Sequence, residues 1–153
     1  ACFTGCGKGD AEKAYFIGAT GPLTGSAMSY GMSVQNGAKL AVDEINAKGG
    51  SIKFEFKSED DVADGETAVN AYNTLVDWGM QALVGPVTTG SSIAVSAKTA
   101  EDKMFMLTPS GSSTDIIKDK DNVFQVCFTD PNQGTGFPPL TTSSSICPRA
   151  SWL

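Results

Sequence analysis

From residue 14 to about residue 130, short apolar runs alternate with amphipathic stretches. Ala14-Tyr15-Phe16-Ile17-Gly18 predicts a buried strand, which the turn chemistry of Thr20-Gly21-Pro22 ends. A Gly/Ser loop leads to Tyr30. Val34, Ala38, Ala41, Val42 and Ile45 then recur at spacings that share one helical face, and Lys48 with Gly49-Gly50 closes that helix. Ile52 to Phe56 alternates as a second strand, closing at Glu59-Asp60-Asp61. Asp64 is placed to cap a helix that turns Ala68, Ala71, Tyr72, Leu75 and Val76 inward, and Trp78-Gly79 stops it. Ala82-Leu83-Val84-Gly85 is a third strand. Thr88 to Ser92 open a helix with Ile93, Ala97 and Ala100 on one face. Met104 to Leu107 is a fourth strand, Thr108 to Thr114 a polar loop, Asp115 to Lys118 a short helix, and Val123 to Phe128 a fifth strand.

Strands alternating with helices predict an α/β fold, an open doubly wound parallel sheet with helices on both faces. Ligands of such sheets sit outside the carboxyl ends of the strands. The loops that matter are therefore 19–30, 60–64, 85–91, 108–114 and 129–134. From Pro131 onward the pattern breaks. Four of the seven prolines lie there, and Pro138-Pro139 and Thr141-Thr142-Ser143-Ser144-Ser145 cannot continue the alternation.

Composition narrows the chemistry. The 153 residues suffice for one core, and 11 basic against 17 acidic residues, interspersed, leave no basic stripe for nucleic acid. No apolar run reaches the ~20 residues that span a bilayer. Histidine is absent, which removes the commonest general base and zinc ligand, so no catalytic residue, metal site or cofactor is expected. Cys2, Cys6, Cys127 and Cys147 form no paired C-x-x-C motif. Cys2, behind the small Ala1 and ahead of a Gly-rich stretch, suits the lipid-bearing residue of a bacterial lipoprotein, with residues 1–12 as tether. Glu59, Asp60, Asp61 and Asp64 lack the Gly-centred spacing of a calcium loop and read as a solvated strand end plus a helix cap.

Two loops carry candidate binding chemistry. Gly85-Pro86-Val87-Thr88-Thr89-Gly90-Ser91-Ser92 runs from a strand into a helix N-terminus, where hydroxyls and backbone N–H groups attract an anion. No lysine follows in P-loop register. Thr108-Pro109-Ser110-Gly111-Ser112-Ser113 leaves the next strand with similar chemistry. Together they suit both charged groups of a zwitterion, hydroxyls and N–H groups for a carboxylate and carbonyls for an ammonium.

Tyr15 to Gly25, Tyr30-Gly31, Gly37 to Gly50, Glu59-Asp60-Asp61, Val84-Gly85-Pro86, Leu107-Thr108-Pro109-Ser110 and Phe124 to Gly134 resemble the type I periplasmic binding proteins, in particular the leucine/isoleucine/valine-binding branch. The resemblance implies an extracytoplasmic component of an ABC importer, in the periplasm or at the cell surface of a bacterium, that captures an amino acid and delivers it to a permease. It assigns the ligand to Thr89, Ser110, Gly111 and Ser112, flanked by Val87 and Thr88, with Tyr30 lining the side-chain pocket. Some relatives join the second and third loops by a disulfide; the matching positions here are Val62 or a neighbour and Thr88, so that bridge is expected to be absent.

The family continues into a second lobe. The expected organisation is therefore a tether (1–12), an N-terminal ligand-binding lobe (13–130), and a hinge start with an aberrant tail (131–153). A frameshift is expected to have made that tail, which the DNA read in its other frames tests. One lobe alone encloses half a ligand, so weak binding is expected, and an uncovered sheet edge favours a homodimer. Two alternatives are a dimerising sensor domain without transport and a small flavodoxin-like enzyme.

Overall fold

The computed structural model describes residues 13–136. The expected tether with Cys2, and the chain beyond Gly136, lie outside the described residues. The elements are β1 (Lys13–Gly21), α1 (Met28–Ala47), β2 (Ile52–Asp60), α2 (Gly65–Asp77), β3 (Ala82–Val84), α3 (Thr89–Asp102), β4 (Phe105–Thr108), a 3-10 turn (Thr114–Ile116), β5 (Val123–Gln125) and α4 (Asp130–Gly136). The strands form one parallel sheet in the order β2-β1-β3-β4-β5. From β1 the chain winds outward to β2, then returns to the other side of β1 as β3. The winding reverses between β1 and β3, so their carboxyl ends flank a crevice.

Alternation along β1 assigns the faces. A Cβ on Gly18 would meet Met80 and Leu75, next to α2, whereas Ile17 lines a groove against α1. α2 and α3 pack together on the first face, and α1 lies on the other against β1 and β2. Tyr72, Leu75, Leu83, Val95, Met106, Ile116 and Val123 make the buried core of the α2–α3 layer. Tyr72 also donates its hydroxyl to Asp102 Oδ2 at 3.0 Å, joining α2 to α3. On α1's face, Phe105 and Phe124 stack with ring centroids 5.3 Å apart, yet they stay 44% and 47% exposed. No described helix covers that end of the sheet.

The helices differ from the pattern in instructive ways. α1 begins at Met28, so Tyr30 lies in its first turn and not in the preceding loop. Val34, Ala38, Ala41, Val42 and Ile45 do share a face, but that face is the wall of an open groove of about 430 Å³, and Ile45 is 46% exposed. Asn46 fastens the helix to the outer edge of β2, donating to Phe54 O at 2.8 Å and accepting from Phe54 N at 2.9 Å. α3 buries Ser91, Ser92, Val95, Ser96 and Thr99, and Ile93, expected inward, is exposed. Small hydroxyl residues suit this face because Ser96 and Thr99 return their hydroxyls to their own helix, at Ile93 O and Ser96 O. Val76 is likewise exposed, β5 ends at Gln125, and the expected loop 129–134 enters α4.

Asp64 caps α2 as its position predicts, accepting from Thr67 N at 2.8 Å and Thr67 Oγ1 at 2.9 Å. Asp64→Ala is expected to lower the urea midpoint, because it removes the helix cap.

Candidate functional site

Parallel pairing brings the ends of β1, β3 and β4 to one rim. β3 runs beside both of its neighbours, and beyond it Gly85 N donates to Leu107 O at 2.8 Å. Two glycines draw α1 into this rim. A Cβ on Gly21 would lie 2.8 Å from Val87 Cγ2 and 3.5 Å from the Cα of Gly31, and one on Gly31 would lie 2.0 Å from Pro22 O. The first turn of α1 therefore sits directly against the β1 exit. Its Tyr30, 68% exposed, stands at the crevice with Val87 buried nearby.

Thr88 is the extended N-cap of α3, and Thr89 is the first helical residue. The Thr88 hydroxyl turns to Ser91 Oγ at 3.1 Å and caps no backbone group. Ser92 N is bonded to Thr88 O, so the N–H groups of Thr89, Gly90 and Ser91 precede the helical ladder, at the positive end of the helix. The Thr89 hydroxyl makes no hydrogen bond to another described residue.

The β4 exit packs against this loop. Ser110 Oγ donates to Val87 O at 2.7 Å, and Thr108 Oγ1 donates to Pro86 O at 2.7 Å. Gly111 N donates to Thr108 Oγ1 at 3.0 Å, while Gly111 O accepts from Gln125 Nε2 at 2.7 Å and from the Cys127 thiol at 3.1 Å. Both backbone groups of Gly111 are thus spent inside the protein. What Gly111 gives the rim is shape, because an added Cβ would stand 2.7 to 3.0 Å from Ile116, Thr108 and Ser92. Ser112 is half-buried, its O accepts from Asp130 N at 3.0 Å, and its hydroxyl bonds no described residue. The Ser110–Val87 and Thr108–Pro86 bonds thus hold the loop that carries Ser110, Gly111 and Ser112 beside the loop that carries Val87, Thr88 and Thr89, while Tyr30 comes from the first turn of α1.

The acidic corner after β2 departs from the solvated strand end expected. Burial works to raise the Asp60 carboxyl, but hydrogen bonds from Thr24, Val62 and Leu23 outweigh it and hold the group below its ordinary value. Asp61 is fully buried. Burial, with smaller contributions from the Asp60 and Asp64 charges, pushes its carboxyl up to about 6 against one bond from Ala63 N. Its Oδ2 has no partner. Val62 and Ala63 both take left-handed backbone in this turn, with φ of 44° and 60°. Among the described residues no group of three or more His, Cys, Asp or Glu is arranged to hold a metal ion, and no helix is long and apolar enough to cross a membrane.

The sequence reading placed Ser92 and Thr108 in the two candidate loops but not as buried links to Pro86 O, and it missed Gln125, whose side chain ties β5 to Gly111 and Ser113.

A family profile described as periplasmic binding protein matches residues 14–139. The chain belongs to this family. As a periplasmic binding protein it is 42% identical over 120 residues to the Leu/Ile/Val-binding protein BraC3 of Rhizobium johnstonii, a match spanning 76% of this chain and 33% of that one. It is 38% identical over 121 residues to Leu/Ile/Val-binding protein homolog 3 of Brucella melitensis, with the same coverage. Its fold is similar to the branched-chain amino acid transporter substrate binding protein LivJ from Streptococcus pneumoniae in complex with isoleucine. That match has a TM-score of 0.73 and 33% identity over 77% of this chain and 35% of the other. The leucine binding protein LivK from Thermotoga maritima gives a TM-score of 0.73 at 27% identity, over 80% and 35%. The chain thus spans about a third of the length of these relatives. The family binds solutes and is not one of enzymes, and the α/β reading and the resemblance both hold.

Proposed function

We propose that this periplasmic binding protein chain is an amino-acid-binding lobe of an extracytoplasmic solute-binding component of an ABC importer, selecting a branched-chain amino acid. What supports this is that the hydroxyls of Thr89 and Ser112, which bond no described residue, lie on the two loops that Ser110 and Thr108 tie together where β3 and β4 end, at the head of α3. Thr89 and Ser112 receive the carboxylate, and the Ser110 carbonyl accepts from the ammonium. Tyr30, Thr88 and Val87 flank the side chain. A rim built from hydroxyls and peptide dipoles suits a ligand of zero net charge, and relatives named for Leu, Ile and Val or solved with isoleucine support the class. An anchor at Cys2 and delivery to a permease belong to the same proposal.

Thermal unfolding against the twenty amino acids tests it. A ligand at 100 times its Kd adds about 2.7 kcal/mol, a shift of several degrees. Leu, Ile or Val is expected to give a shift that leucinol, lacking the carboxylate, does not. Thr89→Ala is expected to weaken binding about tenfold or more, as loss of a hydrogen bond to a charged group does. Equal shifts with leucinol and leucine would refute the assignment. The exposed Phe105–Phe124 pair favours one second reading, a lobe that dimerises without taking solute. A concentration-dependent dimer in sedimentation, with no amino-acid response, would select that reading.

A further inference from the structure

Two fully buried hydroxyls, Thr108 and Ser92, meet where the two binding loops part from the sheet. Both donate to one acceptor, Pro86 O, at 2.7 and 3.1 Å, and their oxygens are 3.4 Å apart. Thr108 Oγ1 also takes the Gly111 N–H. The β3 exit, the β4 exit and the first turn of α3 are thereby joined through two side chains, 22 and 6 residues from their shared acceptor. Gly111 closes the cluster, since nothing larger than hydrogen fits between its Cα and these oxygens.

We propose that Thr108, supported by Ser92, is the positioning residue that sets the spacing between the α3 head and the Ser110–Ser112 loop, and thereby amino-acid affinity, without touching the ligand. The inference rests on the amino-acid-binding reading above. A zwitterion that draws donors from one loop and acceptors from the other responds to their separation, and misplacement of a polar contact by an ångström forfeits most of it. Loss of the Thr108 hydroxyl strands the buried Gly111 N–H and leaves Pro86 O with Ser92 alone, so the loops part while the strand below stays paired.

The test compares Thr108→Val, which keeps the shape and removes the hydroxyl, with Thr108→Ser, which keeps the hydroxyl and removes a methyl. Each is measured in the 153-residue chain for urea stability without ligand, for amide exchange at Gly111, and for affinity toward leucine. Thr108→Val is expected to speed Gly111 exchange and weaken leucine about tenfold. Thr108→Ser is expected to keep both near wild type even where its stability falls. Wild-type leucine affinity in Thr108→Val, or affinity that merely tracks stability across the two variants, would overturn the proposal. If the wild-type chain binds no amino acid, the binding reading itself fails. Gly111 exchange then decides the loop linkage alone, and an unchanged rate in Thr108→Val overturns that as well.

Discussion

Gly85→Ala is expected to lower the stability of this chain by about 3 kcal/mol or more, enough to move the thermal midpoint by roughly 10 °C. Two costs coincide at this position. Gly85 has a φ of +117°, which side-chain-bearing residues avoid, and a Cβ there would stand 2.2 Å from Thr20 O and 3.2 Å from Thr20 C and N. The obstructing atoms are backbone of the neighbouring strand and cannot step aside without breaking the pairing of β1 with β3. Gly18→Ala is the control. Its new methyl would be 2.1 Å from Met80 Sδ, the flexible end of a thioether chain, so a loss of about 1 to 2 kcal/mol is expected. Circular dichroism melts of the two variants check the ranking. A Gly85→Ala melt matching wild type would mean that β1 and the β3 exit are not held in this close approach.

The second large effect is a loss of stability as pH rises. Asp61 titrates near 6 when folded, against an ordinary 3.8, because burial penalises its charge. The folded state therefore holds this proton more tightly than the unfolded chain does. Its contribution is complete below pH 3.8 and is lost as pH rises through about 6, by roughly 3 kcal/mol in all. Asp60 and Asp64 act with the opposite sign, because their carboxyls are held below the ordinary value in the fold. Their stabilisation is present above pH 4 and lost on further acidification, so the windows separate. In urea titrations between pH 4.5 and 7.5, the wild type is expected to lose stability relative to Asp61→Asn. A flat difference across that range would show that Asp61 carries no raised affinity for its proton.

Much of the architecture was legible because parallel sheets write a simple code. The apolar runs at Tyr15 to Ile17, Ala82 to Val84 and Met106-Leu107 are strands, and Asp64 is a cap, as their chemistry requires. The rim was legible by topology, since strands that all point one way must deliver their exits to one edge. What escaped was polarity turned inward. The buried face of α3 is largely serine and threonine, which a search for apolar spacing passes over, although their hydroxyls are bonded within the helix or to Pro86 O. Asp61 escaped for the same reason, since an acidic run reads as a wet corner. Thr108 looked like the first residue of a polar loop, whereas it closes β4 and is fully buried. Side-chain partners more than twenty residues away leave no periodic mark.

The stacked Phe105–Phe124 pair has a thermal consequence. Where aromatic surface already meets water in the folded chain, unfolding hydrates little that is new, and apolar hydration is what raises the heat capacity of the unfolded state. At the described β4–β5 end of the sheet, Met106 and Val123, buried on the α3 side, therefore contribute a larger share of their surface to the heat-capacity change than the half-exposed Phe105 and Phe124. Curvature of stability with temperature, including any weakening in the cold, is therefore weighted toward the layer that α2 and α3 close.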